Sequence, residues 1–255
     1  MPMVVLRSQD TDIMELGTSR RSIIAGAAAL TLASAGAKAA EPGRSDKDMV
    51  SDWPWLGRYA SDNERIKREG RKVDIVFIGD SITEIWKHKR PGFFPDSRIN
   101  RGIGGQTSPQ ILLRMMPDVI AHRPKIVHIL AGTNDVAGNT GAIDEAATVN
   151  NILAMVQLAK ANGIKPVVGT IPPAAAFFWR PEIKPVEKIR EINRRLKAAS
   201  KTHHFSLVDY YDVLASPEGA LPAQLGADGV HPDVAGYDRM ERLLIQRISK
   251  FAIDD

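Results

Sequence analysis

Residues 73–83 read VDIVFIGDSIT, and this stretch decides how the rest of the chain is interpreted. Its apolar, β-branched run predicts a strand buried on both faces, and the run stops at a Gly-Asp-Ser turn before a segment suited to a helix. Ser81 therefore lies at the carboxyl end of a strand, which is the edge of an open α/β sheet where ligands bind. Taken alone, Asp80 and Ser81 are more typical of an ordinary helix cap, so a chemical role depends on three later stretches.

The composition fits one medium-sized α/β domain with ample material for a core. The chain has 255 residues, of which 44% are hydrophobic, with a formal net charge of +4 and no cysteine. The lack of cysteine excludes disulfides, thiolate metal ligands and a cysteine nucleophile. No dense stripe of Lys and Arg alternates with aromatic residues, so we expect no nucleic-acid partner.

Residues 1–39 differ in composition from the rest and indicate an export signal. Arg20 and Arg21 stand just before an alanine-rich apolar run at residues 23–35, and residues 37–39 read AKA, a small-x-small cleavage site. The adjacent arginines resemble a twin-arginine signal, which implies export to a bacterial periplasm or beyond. Because the apolar run is short for a membrane span, we expect no stable membrane insertion after cleavage; a retained amino-terminal anchor is the alternative.

Strands alternate with helices after residues 40–70, which are interpreted as an N-terminal arm that packs its tryptophans on the domain. Because each crossover between parallel strands is right-handed and covers the sheet, this alternation predicts one α/β domain with a five-stranded parallel sheet and helices on both faces. Strands are predicted at residues 73–78, 99–103, 126–130, 165–171 and 205–208. Helices are predicted through residues 111–120, 144–162, 186–200 and 234–251.

Polar clusters in the loops of this domain contain what ester hydrolysis requires. A serine hydroxyl is a weak nucleophile until a histidine takes its proton, and the histidine needs an anion to fix its tautomer. Asp228 and His231 are close enough in sequence for one turn to direct both side chains toward Ser81. The negative charge that develops on the attacked carbonyl needs donors. The backbone amides of Ser81 and Gly105 and the side chain of Asn134 would supply them.

Four sequence blocks, in this order and at these separations, resemble the blocks of the GDSL esterases, also called SGNH hydrolases. They read Gly-Asp-Ser at 79–81, Asn-x-Gly-x-x-Gly-x-Thr at 100–107, Gly-x-Asn-Asp at 132–135 and Asp-x-x-His-Pro at 228–232. The resemblance covers about residues 73–244 and implies a three-layer α/β/α, flavodoxin-like hydrolase domain within residues 71–255.

The same resemblance assigns a role to each matching residue. It implies that Ser81 is the nucleophile, His231 the general base and Asp228 the partner that orients the histidine. It also implies an oxyanion hole formed by Ser81, Gly105 and Asn134. No metal and no organic cofactor are implied.

The residues within two of these blocks indicate a branch of the family. Residues 102–107 read GIGGQT and residues 131–135 read AGTND, which resemble platelet-activating-factor-acetylhydrolase-like and carbohydrate-deacetylating members more than long-chain lipases. Gln106 departs from the aspartate or serine that often follows the oxyanion glycine, which bears on fine specificity but not on the hole itself. We therefore expect an exported serine esterase that removes a short acyl group, such as acetyl, from an oxygen ester of a carbohydrate or small molecule.

Other functions remain open at this point. A thioesterase or a lysophospholipase would use the same triad, and a catalytically inactive carbohydrate-binding module would keep the same fold. A flavodoxin-like nucleotide binder is a further reading, but the turn after the first strand has a single glycine instead of a phosphate-cradling run.

Residues 174–181 are predicted to form one wall of the substrate site, because they follow the fourth strand at the edge that presents Ser81. Three consecutive aromatic residues stand in this loop: Phe177, Phe178 and Trp179. We expect at least one of them to pack on the core and another to face the substrate, leaving room for an acetyl-sized group only.

Overall fold

The computed structural model describes residues 50–252 of the chain. The predicted export signal at residues 1–39 lies outside the described residues, as does the first part of the predicted arm. Between residues 50 and 252, no helix is both long and apolar enough to cross a membrane.

Five parallel strands form one sheet. They are β1 (Ile75–Gly79), β2 (Arg98–Gly102), β3 (Ile126–Leu130), β4 (Lys165–Gly169) and β5 (Ser206–Val208). Their order in the sheet is β2-β1-β3-β4-β5, so β1 lies between two neighbours. Gly79 at the end of β1 pairs with Gly102 on one side and with Leu130 on the other. The carboxyl ends of the strands therefore meet at one edge, and the prediction of a five-stranded parallel sheet is confirmed.

Helices of very different length connect these strands. They are α1 (Ala60–Arg68), α2 (Ser81–Lys89), α3 (Ser108–Leu113), α4 (Met115–Asp118), α5 (Thr133–Val136), α6 (Glu145–Ala161), α7 (Val186–Thr202), α8 (Tyr210–Leu214) and α9 (Val234–Ile248). Short 3-10 helices lie at Leu56–Tyr59, Pro91–Phe93, Ile120–His122 and Ser249–Ala252.

The core lies on both faces of the sheet because successive side chains of a strand point to opposite sides. Val76 and Ile78 belong to a buried cluster with apolar residues of α3, α6 and α7. Ile75 and Phe77 belong to a second buried cluster with residues of α2 and α9. Helices thus cover each face, and the fold is the three-layer α/β/α arrangement that the sequence predicts.

The single helix predicted through residues 111–120 is wrong, since the chain forms α3, α4 and a 3-10 helix there. Pro117 has no N–H to donate to the carbonyl of Leu113, and its ring would clash with that carbonyl in a continuous helix. Arg114, which lies between α3 and α4, is fully buried.

Arg114 joins the ends of two strands to the loop that follows β2. Its guanidinium donates to the carbonyl oxygens of Gly79 (3.2 Å) and Arg101 (2.9 Å). It also donates to Asp118 Oδ2 at 2.7 Å and to Gln106 Oε1 at 2.8 Å. Buried charges are stable only when paired and hydrogen-bonded, and Arg114 meets both conditions.

Two backbone carbonyls in the described part of the predicted N-terminal arm accept hydrogen bonds from the same loop and from α3. Gln106 Nε2 donates to the carbonyl of Pro54 at 2.8 Å, and Gln110 Nε2 donates to that of Trp53 at 2.9 Å. Trp53 keeps 39% of its surface exposed, so its ring is only partly packed on the domain.

Candidate active site

Ser81 occupies the first position of α2, directly after the turn that ends β1. Asp80 caps this helix, because its Oδ1 accepts the backbone N–H of Ile82 at 3.0 Å. The first N–H groups of a helix have no carbonyl partner within the helix, and they carry the positive end of its dipole. The sequence thus places the Ser81 hydroxyl beside backbone donors suited to an anion.

Asp80 is fully buried, and its Oδ2 has no hydrogen-bond partner among residues 50–252. Burial raises the pKa of this carboxyl to about 7, with a smaller contribution from the charge of Asp135. The Oδ1 that caps α2 serves as an acceptor whether or not the other oxygen carries a proton. Asp80 is thus a turn and cap residue, the role that the sequence favours.

Two glycines allow the backbone of this edge to pack closely. A Cβ atom at Gly79 would lie 2.4 Å from the carbonyl oxygen of Leu130, and one at Gly102 would lie 2.2 Å from the backbone nitrogen of Glu84. Both contacts involve backbone atoms, which have no freedom to move aside. Side chains at these two positions would therefore collide with the backbone of β3 and of α2, beside Ser81.

A continuous chain of hydrogen bonds joins Ser81, His231 and Asp228. Ser81 Oγ lies 2.8 Å from His231 Nε2, and His231 Nδ1 lies 2.7 Å from Asp228 Oδ2. The second carboxylate oxygen of Asp228 accepts the backbone amides of Val230 at 2.9 Å and of His231 at 2.7 Å. The loop before α9 therefore brings the acid and the imidazole to the serine, as the spacing of the two residues predicts.

The bonds around Asp228 favour its charged form. Partial burial opposes ionisation, but the backbone and side-chain hydrogen bonds from His231 and the amide of Val230 outweigh it and lower the pKa of this carboxyl. A carboxylate that is ionised at neutral pH holds a proton on His231 Nδ1. The other ring nitrogen, Nε2, is then free to accept the proton of Ser81.

The candidate oxyanion side consists of Gly105 and Asn134. Gly105 has a positive φ of 73°, which a residue with a side chain rarely adopts. Asn134 is buried at the start of α5, and its Nδ2 donates to the carbonyl of Gln106 at 3.0 Å. One N–H of that amide remains for a ligand, because an asparagine NH₂ group has two hydrogens.

Two further contacts hold the loop that carries Gly105. The backbone N–H of Gly104 donates to Glu84 Oε2 at 2.8 Å, and Arg58 of the arm pairs with Glu84 Oε1 at 3.1 Å. The side chain of Gln106 contacts Pro54 and Arg114. The hydrogen bonds of the Gln106 side chain thus stabilise the loop, although the sequence analysis links this residue to fine specificity.

Asp135 has a structural role. Its two carboxylate oxygens accept the backbone N–H of Ser108, at 2.8 Å, and the hydroxyl of the same residue. Burial raises the pKa of this carboxyl, although the bonds from Ser108 and Thr148 oppose the effect. Asp135 thus ties the start of α3 to the turn that carries Asn134.

The three aromatic residues of the loop after β4 have different surroundings. Phe177 is fully buried in the core, whereas Phe178 is 65% exposed. The half-buried ring of Trp179 lies between them, with centroid distances of 4.9 Å to Phe177 and 4.8 Å to Phe178. The Nε1 of Trp179 donates to Asn139 Oδ1 at 3.0 Å. Asn139 did not stand out in the sequence, because it lies in a short Gly-Asn-Thr-Gly turn with no periodic pattern.

Known proteins are similar to this chain over the residues that contain the candidate active site. The sequence model described as GDSL-like Lipase/Acylhydrolase family matches residues 77–239. A crystal structure of a candidate acylhydrolase from Bacteroides fragilis is 48% identical, with a TM-score of 0.74. It covers 78% of this chain and 98% of its own.

Two curated proteins are also similar in sequence. An uncharacterized lipoprotein of Bacillus subtilis is 35% identical, covering 41% of this chain and 51% of its own length. The acetylxylan esterase of Geobacillus stearothermophilus is 26% identical, covering 70% of this chain and 95% of its own length. The chain thus spans about half of the lipoprotein and nearly all of the esterase.

Proposed function

Because the chain belongs to the GDSL-like lipase/acylhydrolase family, we propose that it is a serine esterase that hydrolyses short-chain acyl esters. The preferred acyl group is acetyl, carried on an oxygen of a carbohydrate or small molecule. The observation that carries this proposal is the hydrogen-bonded chain from Ser81 through His231 to Asp228, with contacts of 2.8 and 2.7 Å.

In this mechanism, Ser81 Oγ attacks the ester carbonyl while its proton moves to His231 Nε2. Asp228 accepts the hydrogen bond of Nδ1–H and stabilises the imidazolium that forms. The imidazolium then protonates the leaving alkoxide, which releases the alcohol and leaves an acyl group on Ser81. Water attacks this acyl-enzyme while His231 takes its proton, and the proton returns to Ser81 Oγ as the carboxylic acid is released and the free serine is regenerated.

The oxyanion of each tetrahedral intermediate is stabilised by the amides of Ser81 and Gly105 and by the side chain of Asn134. Fixed donors of this kind act most strongly where charge develops, because they need no reorganisation during the reaction. The dipole of α2 adds to their effect, since its positive end faces the same point.

Two observations support a short acyl group on a carbohydrate. The acetylxylan esterase relative acts, by its name, on an acetylated polysaccharide. Phe178 presents an exposed aromatic ring on the loop after β4, and aromatic faces offer apolar area for a sugar ring. A thioesterase or lysophospholipase activity would use the same triad and differ in the leaving group.

The proposal is tested by presenting the purified protein with acyl esters of graded chain length, with acetylated xylo-oligosaccharides and with acyl thioesters. A serine-directed phosphonate is expected to label the peptide that contains Ser81 once per chain, as measured by mass spectrometry. Labelling elsewhere, or no turnover of any ester, would contradict the proposal. An inactive carbohydrate-binding module would bind the sugars without hydrolysis or labelling.

Asn134→Ala is expected to lower kcat by about 10²–10³ with little change in KM, because the amide is needed chiefly once the oxyanion forms. Steady-state kinetics with an acetate ester provide the measurement. Asn162→Ala is the matched control, since Asn162 is exposed at the end of α6 and its side chain donates to the carbonyl of Leu158 in the same helix. An effect confined to KM would make Asn134 a substrate-binding residue instead.

Phe178→Ala is expected to flatten the chain-length profile of kcat/KM, which should peak at acetyl in the wild type. The reason is that loss of the ring opens the wall of the pocket, and each added methylene that becomes buried contributes about 0.8 kcal/mol. Ile245→Ala near the far end of α9, where Ile245 is 46% exposed, serves as the control. A wild-type profile that rises steadily to long chains would overturn the short-acyl preference.

We also propose that residues 1–39 direct export through a twin-arginine-like signal, and that residues 40–70 and 71–255 form the arm and the hydrolase domain. The similarity to a bacterial lipoprotein supports an exported location. The paired arginines before the apolar run support the type of signal.

A further inference from the structure

Asn139 lies behind the candidate oxyanion hole and contacts both of its loops. Its Nδ2 donates to the side-chain oxygen of Asn134 at 2.8 Å and to the carbonyl of Gly105 at 3.1 Å. Its Oδ1 accepts the indole N–H of Trp179 at 3.0 Å. The side-chain amide of Asn139 therefore uses both of its N–H hydrogens as donors and its oxygen as an acceptor.

The chemistry of these partners fixes which way each amide points. An indole N–H is only a donor, so the oxygen of Asn139 must face Trp179. The nitrogen of Asn139 then faces Asn134, and the side-chain oxygen of Asn134 must receive it. As a result, Asn134 turns its NH₂ group toward the carbonyl of Gln106 and the developing oxyanion.

The orientation of the Asn134 amide matters because its oxygen carries a partial negative charge and its NH₂ hydrogens carry partial positive charges. If Asn134 were reversed, its oxygen would face the oxyanion and destabilise the intermediate that it is expected to stabilise. The bond from Asn139 to the carbonyl of Gly105 ties the loop that carries Gly105 to the same amide group.

The turn that carries Asn139 is itself fixed at several points. The backbone N–H of Asn139 donates to the carbonyl of Asn134 at 3.1 Å. The hydroxyls of Thr140 and Thr107 lie 3.0 Å apart, which ties the turn to the loop after β2. Fixed surroundings of this kind let one side chain hold its neighbours in a single arrangement.

We propose that Asn139 is a positioning residue that sets the polarity of Asn134 and holds the loop that carries Gly105, and that Trp179 fixes the polarity of Asn139. This inference rests on the proposed esterase function. It gives Trp179 a role in the rate of the reaction, in addition to any contact of its loop with the substrate.

Asn139→Asp is the sharpest test because the two side chains have the same shape. An aspartate accepts the bond from Trp179 but has no N–H to give to Asn134 or Gly105. We expect kcat to fall by about 10²-fold, as for loss of an oxyanion donor, with KM nearly unchanged. Asn162→Asp, the same exchange at the exposed end of α6, should leave both constants at the wild-type values.

Trp179→Phe provides an independent variant that keeps an aromatic ring but removes the indole N–H together with the second ring of the indole. We expect kcat to fall by about 10-fold, the effect of losing one uncharged hydrogen bond. If Asn139→Asp fails to fold, as judged by circular dichroism, Trp179→Phe decides the question. An unchanged kcat in that variant would overturn the inference.

A double-variant cycle separates positioning from an independent effect. If Asn139 acts through Asn134, the Asn134→Ala and Asn139→Asp changes together should cost far less than the product of the two single losses. A combined loss equal to the full product of the two single losses would overturn the coupling.

Phosphonate labelling distinguishes the failure of the esterase proposal from the failure of this inference. Absence of labelling at Ser81 in the wild type defeats the esterase function, whereas labelling at the wild-type rate in Asn139→Asp defeats this inference alone.

Discussion

Ser81→Ala is expected to lower kcat for acetate-ester hydrolysis by about 10⁶, the loss seen when the nucleophile of a serine triad is removed. The change deletes one oxygen that contacts His231 and leaves the cap at Asp80 and the sheet untouched. The free energy of unfolding should therefore stay close to that of the wild type. Hydrolysis of a chromogenic acetate ester and thermal unfolding provide the two measurements.

Two comparisons make this result specific. Ser200→Ala, near the end of α7 and outside the polar clusters, should keep full activity. His231→Ala should cost about as much as Ser81→Ala, and the two changes together should cost little more, because the residues act as a unit. Wild-type-like turnover in Ser81→Ala would end the serine-esterase mechanism.

Asp228→Asn is expected to lower kcat by about 10⁴ while the fold stays intact. An asparagine keeps the oxygen that accepts the backbone amides of Val230 and His231, so the loop has no reason to move. Its NH₂ group then faces His231 Nδ1 and donates to it, which leaves the ring proton on Nε2. The histidine in this tautomer has no lone pair for the proton of Ser81.

The measurement is kcat as a function of pH, with the structure checked by circular dichroism. Asp233→Asn is the neighbouring control, since Asp233 pairs with Lys89 on the surface and a surface ion pair contributes at most about 1 kcal/mol. Nearly unchanged activity in Asp228→Asn would mean that another acceptor orients His231.

The long helices were predictable because strong local signals mark both their faces and their ends. The sequence predicts a helix at residues 144–162, and α6 is Glu145–Ala161. Asp144 caps its start through Ala147, at 2.7 Å, and Gly163 follows its end with a positive φ of 71°. Apolar spacing and caps are properties of neighbouring residues, so no knowledge of the rest of the fold is needed.

Features that depend on distant residues were not predictable in the same way. The role of Asn139 depends on Trp179, 40 positions later, and on Gly105, 34 positions earlier. The side chain of Gln106 turns toward Pro54, 52 positions earlier, which no local pattern indicates. The break at Arg114 was missed for another reason, because apolar spacing continues across it while Pro117 prevents continuous helical hydrogen bonding.

The distance in sequence between the parts of the site has a consequence for the order in which the protein becomes active during synthesis. Ser81 is synthesised 150 positions before His231. Helix α2 also bonds to α9: the indole N–H of Trp86 donates to Glu241, and the carbonyl of Ile82 accepts the hydroxyl of Tyr237, each 155 positions later. A nascent chain that still lacks residues 231–248 therefore has a nucleophile without its proposed base, beside an incomplete core. In the proposed mechanism, the docking of the last helix both closes the second face of the sheet and begins the chemistry, so hydrolysis reports that the chain has finished folding.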